Sequence, residues 1–304
     1  MLILLLAVVQ AAPPPPPAAP APPVLAAALP RHLRPHAPRP PRPFRGMHRG
    51  DSEAGPDSAM VAGLLAALAQ TPASVCGMAV GTLGLGWGWD GGDGRVSALR
   101  DEPPGLRTER RSYRNPVRDR RAVPLLQAAL ARPEPCVRRA AAQLLAGSDL
   151  AESAQALRAA LRHADPRVRE AAALGLGARG DSTASGSLQE TLRDGDQDVV
   201  RLAAWALGEV GDRSAVAALT NLTRAGSAGV RLAAAHALGE IADPAGIPGL
   251  TALLNDPDAE IRRQAVEALG EIDDDAVTRP LVSAMRDADP AVRRAAAEAL
   301  GDRR

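Results

Sequence analysis

The residues best suited to chemistry in this sequence do not gather. Five histidines stand at His32, His36, His48, His163 and His236, with no pair at metal-ligand spacing. Gly84, Gly86 and Gly88 alternate like part of a phosphate loop. The run is too short for a dinucleotide fingerprint, and no strand before it or helix after it supports one. Asp90 to Asp101 has the length of a calcium loop, but Gly92 and Gly94 fall where oxygen ligands are required. Both stretches read as plain turns. Cys76 and Cys136 fall in different units, too far apart to bridge if two repeats separate them, and are expected as unpaired small hydrophobes. No Ser-His-acid or Cys-His set suggests itself, so no catalytic residue, metal or cofactor is expected.

The chemistry left is recognition by a surface, and its candidate residues recur at a fixed interval. Val137, Val168, Val199, Val230, Ile261 and Val292 are 31 residues apart, and so are Leu145, Leu176, Leu207, Leu238, Leu269 and Leu300. A third series, Leu126 to Leu281, keeps the same step. Six copies without insertion or deletion predict stacked supersecondary units. Within each copy, positions 0, 4, 7 and 11 counted from the Val share one side of a helix, with position 8 flanking them. Positions 2, 3, 6 and 10 point away and are expected to form an inner, concave wall. Read across the copies, that row includes Leu174; Arg201, Leu202, Trp205 and Glu209; Leu232, His236 and Glu240; Arg263 and Glu267. Trp205 amid Leu174, Leu202 and Leu232, with charges around them, has the composition of a protein-binding hot spot. The alternative for Trp205 is packing against its own neighbours.

The elements that must position this row are two helices per copy. Asp or Glu three residues before the Val (Glu134, Asp165, Asp196, Asp258, Asp289) is the expected N-cap of the second helix, often with Pro just inside it. Position 4 is Ala in all six copies, small enough for a neighbouring helix to come close. The Gly that follows the Leu (Gly177, Gly208, Gly239, Gly270, Gly301), with the Gly-Asp, Ala-Asp or Asp-Asp pair beyond it, reads as a helix stop and then a cap for the next unit. One repeat alone cannot offset its own ordering entropy; stacking shares a continuous core.

The strings Asp289-Pro290-Ala291-Val292-Arg293-Arg294-Ala295-Ala296-Ala297-Glu298-Ala299-Leu300-Gly301 and their earlier copies resemble the HEAT-like repeat family, in the 31-residue version of phycobilisome lyases and of designed binders. The resemblance covers 122–304. It implies an all-α solenoid of stacked helical hairpins; in the designed members the inner positions are the binding surface. It leaves open a bilin-lyase-type enzyme or lyase subunit, or a regulatory or sensor domain acting on another protein. The His-Glu dipeptides of the iron-binding HEAT-like hydroxylases are absent. The family's Arg after the Val is Arg138, Arg169, Arg231, Arg262 and Arg293, but Val200 in the third copy. If that Arg ladders with the N-cap acids, the third unit lacks a rung.

The remainder divides by composition. Met1 to Val9 is apolar, too short to span a bilayer, and followed by Val9-Gln10-Ala11-Ala12; residues 1–12 read as a secretory signal peptide and imply a periplasmic or secreted protein. Without that signal the protein is cytoplasmic. Residues 13–56 are rich in Pro and Arg and read as an extended linker, with its Arg available to an anionic surface. Residues 57–84 repeat the offsets of the first copy two periods upstream (Leu64, Leu68, Val75, Leu83, Gly84) and read as a degenerate hairpin. Residues 85–121 read as a Gly-rich and Arg-rich insertion with a short helix near 95–101. All 36 basic residues are Arg. Segment 122–304 carries net −5 and 1–121 net +6, which argues against a nucleic-acid groove in the repeats. Gly301-Asp302-Arg303-Arg304 provides no polar capping helix, leaving the last apolar face to a second copy or a further segment.

Overall fold

The structure is a computed structural model and describes residues 55–70 and 116–302. The chain separates into two units, 1–49 and 50–304, and every described residue belongs to the second. The signal peptide, most of the linker, Cys76, the Gly84–Gly88 and Asp90–Asp101 stretches and the helix expected near 95–101 lie outside the described residues.

Thirteen α-helices are described. A single helix, α1 (Ser58–Ala69), precedes six pairs: α2 (Ala122–Ala129) with α3 (Pro135–Ala146), α4 (Ala151–Ala160) with α5 (Pro166–Arg179), α6 (Ser185–Thr191) with α7 (Gln197–Val210), α8 (Val216–Leu222) with α9 (Ala228–Ile241), α10 (Ile247–Leu253) with α11 (Ala259–Gly270), and α12 (Thr278–Ala284) with α13 (Pro290–Gly301). The 31-residue period is thus an α-solenoid of six helical hairpins. Each second helix packs on its own first helix and on the second helices before and after it. Among the described residues no helix is long and apolar enough to cross a membrane.

The caps follow the sequence. Asp165, Asp196, Asp258 and Asp289 accept hydrogen bonds from backbone N–H groups in the first turns of α5, α7, α11 and α13, satisfying donors that a helix start leaves open. Glu134 occupies the same place before α3 without making that bond. Asp181, Asp212, Asp243 and Asp274 cap short 3-10 turns that lead into the next first helix.

The helix stop differs from the expectation. Gly177, Gly208 and Gly239 lie inside their helices; the left-handed stop comes three residues later, at Gly180, Gly211 and Ala242. Their reason is contact. A Cβ on Gly208 would sit 2.6 Å from Ala237 Cα, and one on Gly239 would sit 2.9 Å from Ala268 Cα. Position 9 of one second helix therefore meets position 7 of the next, backbone to backbone. Gly208→Ala is expected to lose about 1–3 kcal/mol to overpacking, more than the better helix propensity of Ala returns; urea unfolding followed by circular dichroism measures it.

The arginine ladder exists but runs to a different acid. Arg169 donates from Nε and Nη2 to both oxygens of Asp194 (2.7 and 2.8 Å), and from Nη1 to the carbonyls of His163 and Ala164. Arg231 grips Asp256 (2.7 and 3.2 Å), and Arg262 grips Asp287 (2.8 and 2.9 Å), in the same way. Each acid stands two residues before the N-cap of the next repeat, and it also accepts that N-cap's backbone N–H. One bidentate pair thus ties a helix of one repeat to the turn that starts the next. Where Val200 replaces the Arg, Ala225 replaces the Asp, so the rung is missing on both sides and no charge is left buried alone. After Arg138 the acid's place is taken by His163.

These carboxyls all lie below the ordinary aspartate value. At Asp194 and Asp256 burial pushes the carboxyl up, and hydrogen bonds from the Arg and the backbone outweigh it; at Asp287 the Arg262 hydrogen bond is the largest influence. A group whose folded pKa is depressed stabilises the fold above its unfolded pKa and loses that contribution as pH falls toward the folded value. Acid titration is expected to loosen the solenoid below about pH 4. Asp256→Asn, less stable at neutral pH, should converge with wild type in acid.

At the leading end, α1 packs directly on α2 and α3, and Ser58 N–H donates to Asp119 Oδ2 (2.9 Å). The hydrogen bond from Arg121, followed by that from Ser58 N–H, holds Asp119 well below the usual carboxylate range. For α1, the described part of residues 57–84, the expected two-period spacing from the first repeat is therefore absent. The expectation for Cys136 also fails: it is disulfide-bonded, and the only other cysteine in the sequence is Cys76.

Candidate partner-binding face

The inner row is carried by four consecutive second helices. Leu174 stands on α5; Arg201, Leu202, Trp205 and Glu209 on α7; Leu232, His236 and Glu240 on α9; Arg263 and Glu267 on α11. The helix period puts them on one side of each helix, and the stacking lines them up from repeat to repeat.

Their accessibility is unequal. Leu174, Leu202 and Trp205 are fully buried, and Leu232 is 8% exposed. The expected apolar middle of an open groove is therefore not accessible in this structure. Trp205 shows why: its ring edge lies over Gly177 of the preceding second helix, where an added Cβ would come within 2.5 Å of Cζ3. The indole fills the space that a glycine leaves, so its area belongs to the contact between repeats. The indole N–H is buried without a hydrogen-bond partner among the described residues.

The charged members pair both across repeats and within one helix. Arg201, almost fully buried, has Nη2 3.7 Å from Glu170 Oε1 on α5 and Nε 3.3 Å from Asp198 Oδ1. His236 Nε2 lies 3.5 Å from Glu209 Oε1, joining α9 to α7. Arg263 is gripped by Glu260 (2.6 Å) and by Glu267 on its own helix, and the Glu260 hydrogen bond leads in raising its pKa. Glu240 is exposed, and so are Glu271, Glu298 and Asp302 further along the row.

The structure thus brings the ten row residues onto one face, closes its apolar part and leaves its carboxylate-rich part open. Sequence reasoning took Gly177, which seats Trp205, only for a helix stop and did not single out Asp198, which holds Arg201. The pair Arg201–Glu170 had a readable signal, since both occupy position 2 of adjacent repeats with opposite charge. Among the described residues no three His, Cys, Asp or Glu side chains converge to hold a metal ion. A small hollow by Leu161, Ser187 and Thr191 involves none of the row residues.

No curated protein matches the chain in sequence. Solved structures do match in shape. The E. coli protein YibA aligns at 21% identity and TM-score 0.50, over 59% of this chain and 70% of its own. The complex of CpcE and CpcF of phycocyanin lyase from Nostoc sp. PCC7120 aligns at 26% identity and TM-score 0.45, over 59% and 76%. A designed armadillo repeat protein in complex with the peptide (KR)4 aligns at 19% identity and TM-score 0.46, over 60% and 99%. A profile of HEAT repeats matches residues 122–207, 187–258 and 247–304. The repeat period, the hairpin stack and this match agree, and the chain belongs to the HEAT-repeat family.

Proposed function

We propose that the protein is a non-catalytic scaffold that holds a protein or peptide partner along the inner row of its second helices. The observation that carries this reading is the alignment of accessible charged side chains on successive helices: Glu240, then Arg263 and Glu267, with Glu209 and His236 linked beside them. Side chains repeated at one position of a stacked unit offer a partner a periodic surface rather than a pocket. A lyase-type subunit is the second reading left by the sequence. A chromophore would need a deep apolar cleft, and the residues that could line one, Leu174, Leu202 and Trp205, are buried. We also place the protein outside the cytoplasm. The apolar start of the sequence and the disulfide at Cys136 both support this, because structural disulfides persist in oxidising compartments.

Affinity capture from an envelope extract tests the reading with three baits: wild type, Glu240→Arg/Glu267→Arg, and an outer-side control, Arg279→Glu on α12. The expected result is a protein enriched by wild type and the control and lost at least tenfold by the row variant. Equal capture by all three would move the site away from the inner row.

A further inference from the structure

Where one repeat follows another, the turn before the second helix is fastened by side-chain acceptors. Before α7, α11 and α13 there are two. Asp194, Asp256 and Asp287 accept the N–H of the N-cap residue while held by the Arg of the preceding repeat. The N-caps Asp196, Asp258 and Asp289 then accept from the first turn of the helix. Before α5 His163 Nδ1 takes the place of the first acid, accepting the Asp165 N–H at 3.0 Å, and Asp165 caps the helix.

The turn before α9 differs. It reads Ala225-Gly226-Ser227, so Ala225 offers no acceptor to the Ser227 N–H, and Val200 offers no Arg from the third repeat. The Ser227 side chain makes no cap bond to α9, and Gly229 in the first turn adds backbone freedom. The turn is held instead by Arg231 of α9 itself, whose Nη1 donates to the carbonyls of Ala225 and Gly226. It therefore belongs mechanically to the fourth repeat. The far end of the same step is fastened: Gly208 meets Ala237 backbone to backbone, and Glu209 faces His236 at 3.5 Å. Both contacts lie in the C-terminal halves of α7 and α9.

We propose that the step between the third and fourth repeats is a hinge. The α9 helix pivots about the Gly208–Ala237 and Glu209–His236 contacts, and its first turn opens ahead of those of α7 and α11. The opening reaches the inner row. A Cβ on Gly229 would stand 3.2 Å from Arg201 Cδ, so the first turn of α9 lies against the Arg201 stem. Opening uncovers this guanidinium, 7% exposed when closed, between the buried Leu174, Leu202 and Trp205 and the accessible Glu240 and Glu267.

Hydrogen exchange followed by mass spectrometry on the full chain tests this at amides 231–234, inside α9. After correction for sequence they are expected to exchange at least about tenfold faster than their counterparts 200–203 in α7 and 262–265 in α11. Dilute trypsin should cut after Arg224 before Arg193, which is equally exposed one repeat earlier. Ala225→Asp/Ser227→Asp supplies both acceptors and should slow exchange at 231–234 to the rate of the counterparts, with unchanged circular dichroism. Equal exchange at the three places in wild type overturns the proposal, whatever the variant does. So does an earlier cut at Arg193, or a folded variant that exchanges as fast as wild type.

Discussion

Trp205→Ala is expected to lower the stability of the repeat domain by about 3–5 kcal/mol, the range for deleting a fully buried large aromatic. The ring is 0% exposed and sits on Gly177 of the preceding helix, so truncation opens a cavity at the contact between the second and third repeats. Collapse into that cavity is limited, because glycine on the far side has no side chain to move in. The same residue read as an exposed hot spot would lose binding and keep stability. Urea unfolding followed by circular dichroism separates the two: an unchanged midpoint would contradict the packing described above. The loss is expected to be local first, since stacked repeats couple mainly to their neighbours.

Asp256→Ala carries the second large effect. It removes both oxygens that hold the Arg231 guanidinium and the acceptor for Asp258 N–H, at a site where Arg231 is 15% and Asp256 5% exposed at the side chain. Leaving one charge of such a pair alone is expected to lose about 3 kcal/mol. The third repeat offers the converse experiment. Val200→Arg alone buries an unpaired charge and should destabilise. Val200→Arg with Ala225→Asp recreates the rung, and the two changes should couple favourably by about 1–2 kcal/mol. A double variant no more stable than the sum of its singles would show that the ladder geometry is not transferable to that step.

Much of this was legible because a strict period fixes so many residues at once. The hairpins, their Asp caps, the buried Ala at position 4 and the missing rung at Val200 follow from type and spacing alone. What escaped depends on which side chains meet between repeats. Trp205 is large and apolar at an inner-row position, which in isolation reads as a binding anchor; only its glycine neighbour one repeat back marks it as packing. Gly177, Gly208 and Gly239 carry the same composition as a helix stop, and only the close approach of the next helix distinguishes them. The ladder acid was placed at the N-cap because an acid stands there in five of the six copies, whereas the acid that matters lies two residues earlier, present after Arg169, Arg231 and Arg262 and absent after Arg138 and Val200. The bond at Cys136 was missed because the fixed period was extended to Cys76, which set the two cysteines two repeats apart.

The central claim is that the accessible inner row engages a partner. A photo-cross-linking residue placed in turn at Glu240, Glu271 and, on the outer helix α8, at exposed Ala217 tests it most directly in the cells that make the protein. The account predicts one adduct of the same mass from Glu240 and Glu271 and none from Ala217. Adducts from Ala217 with none from the two inner positions would contradict it.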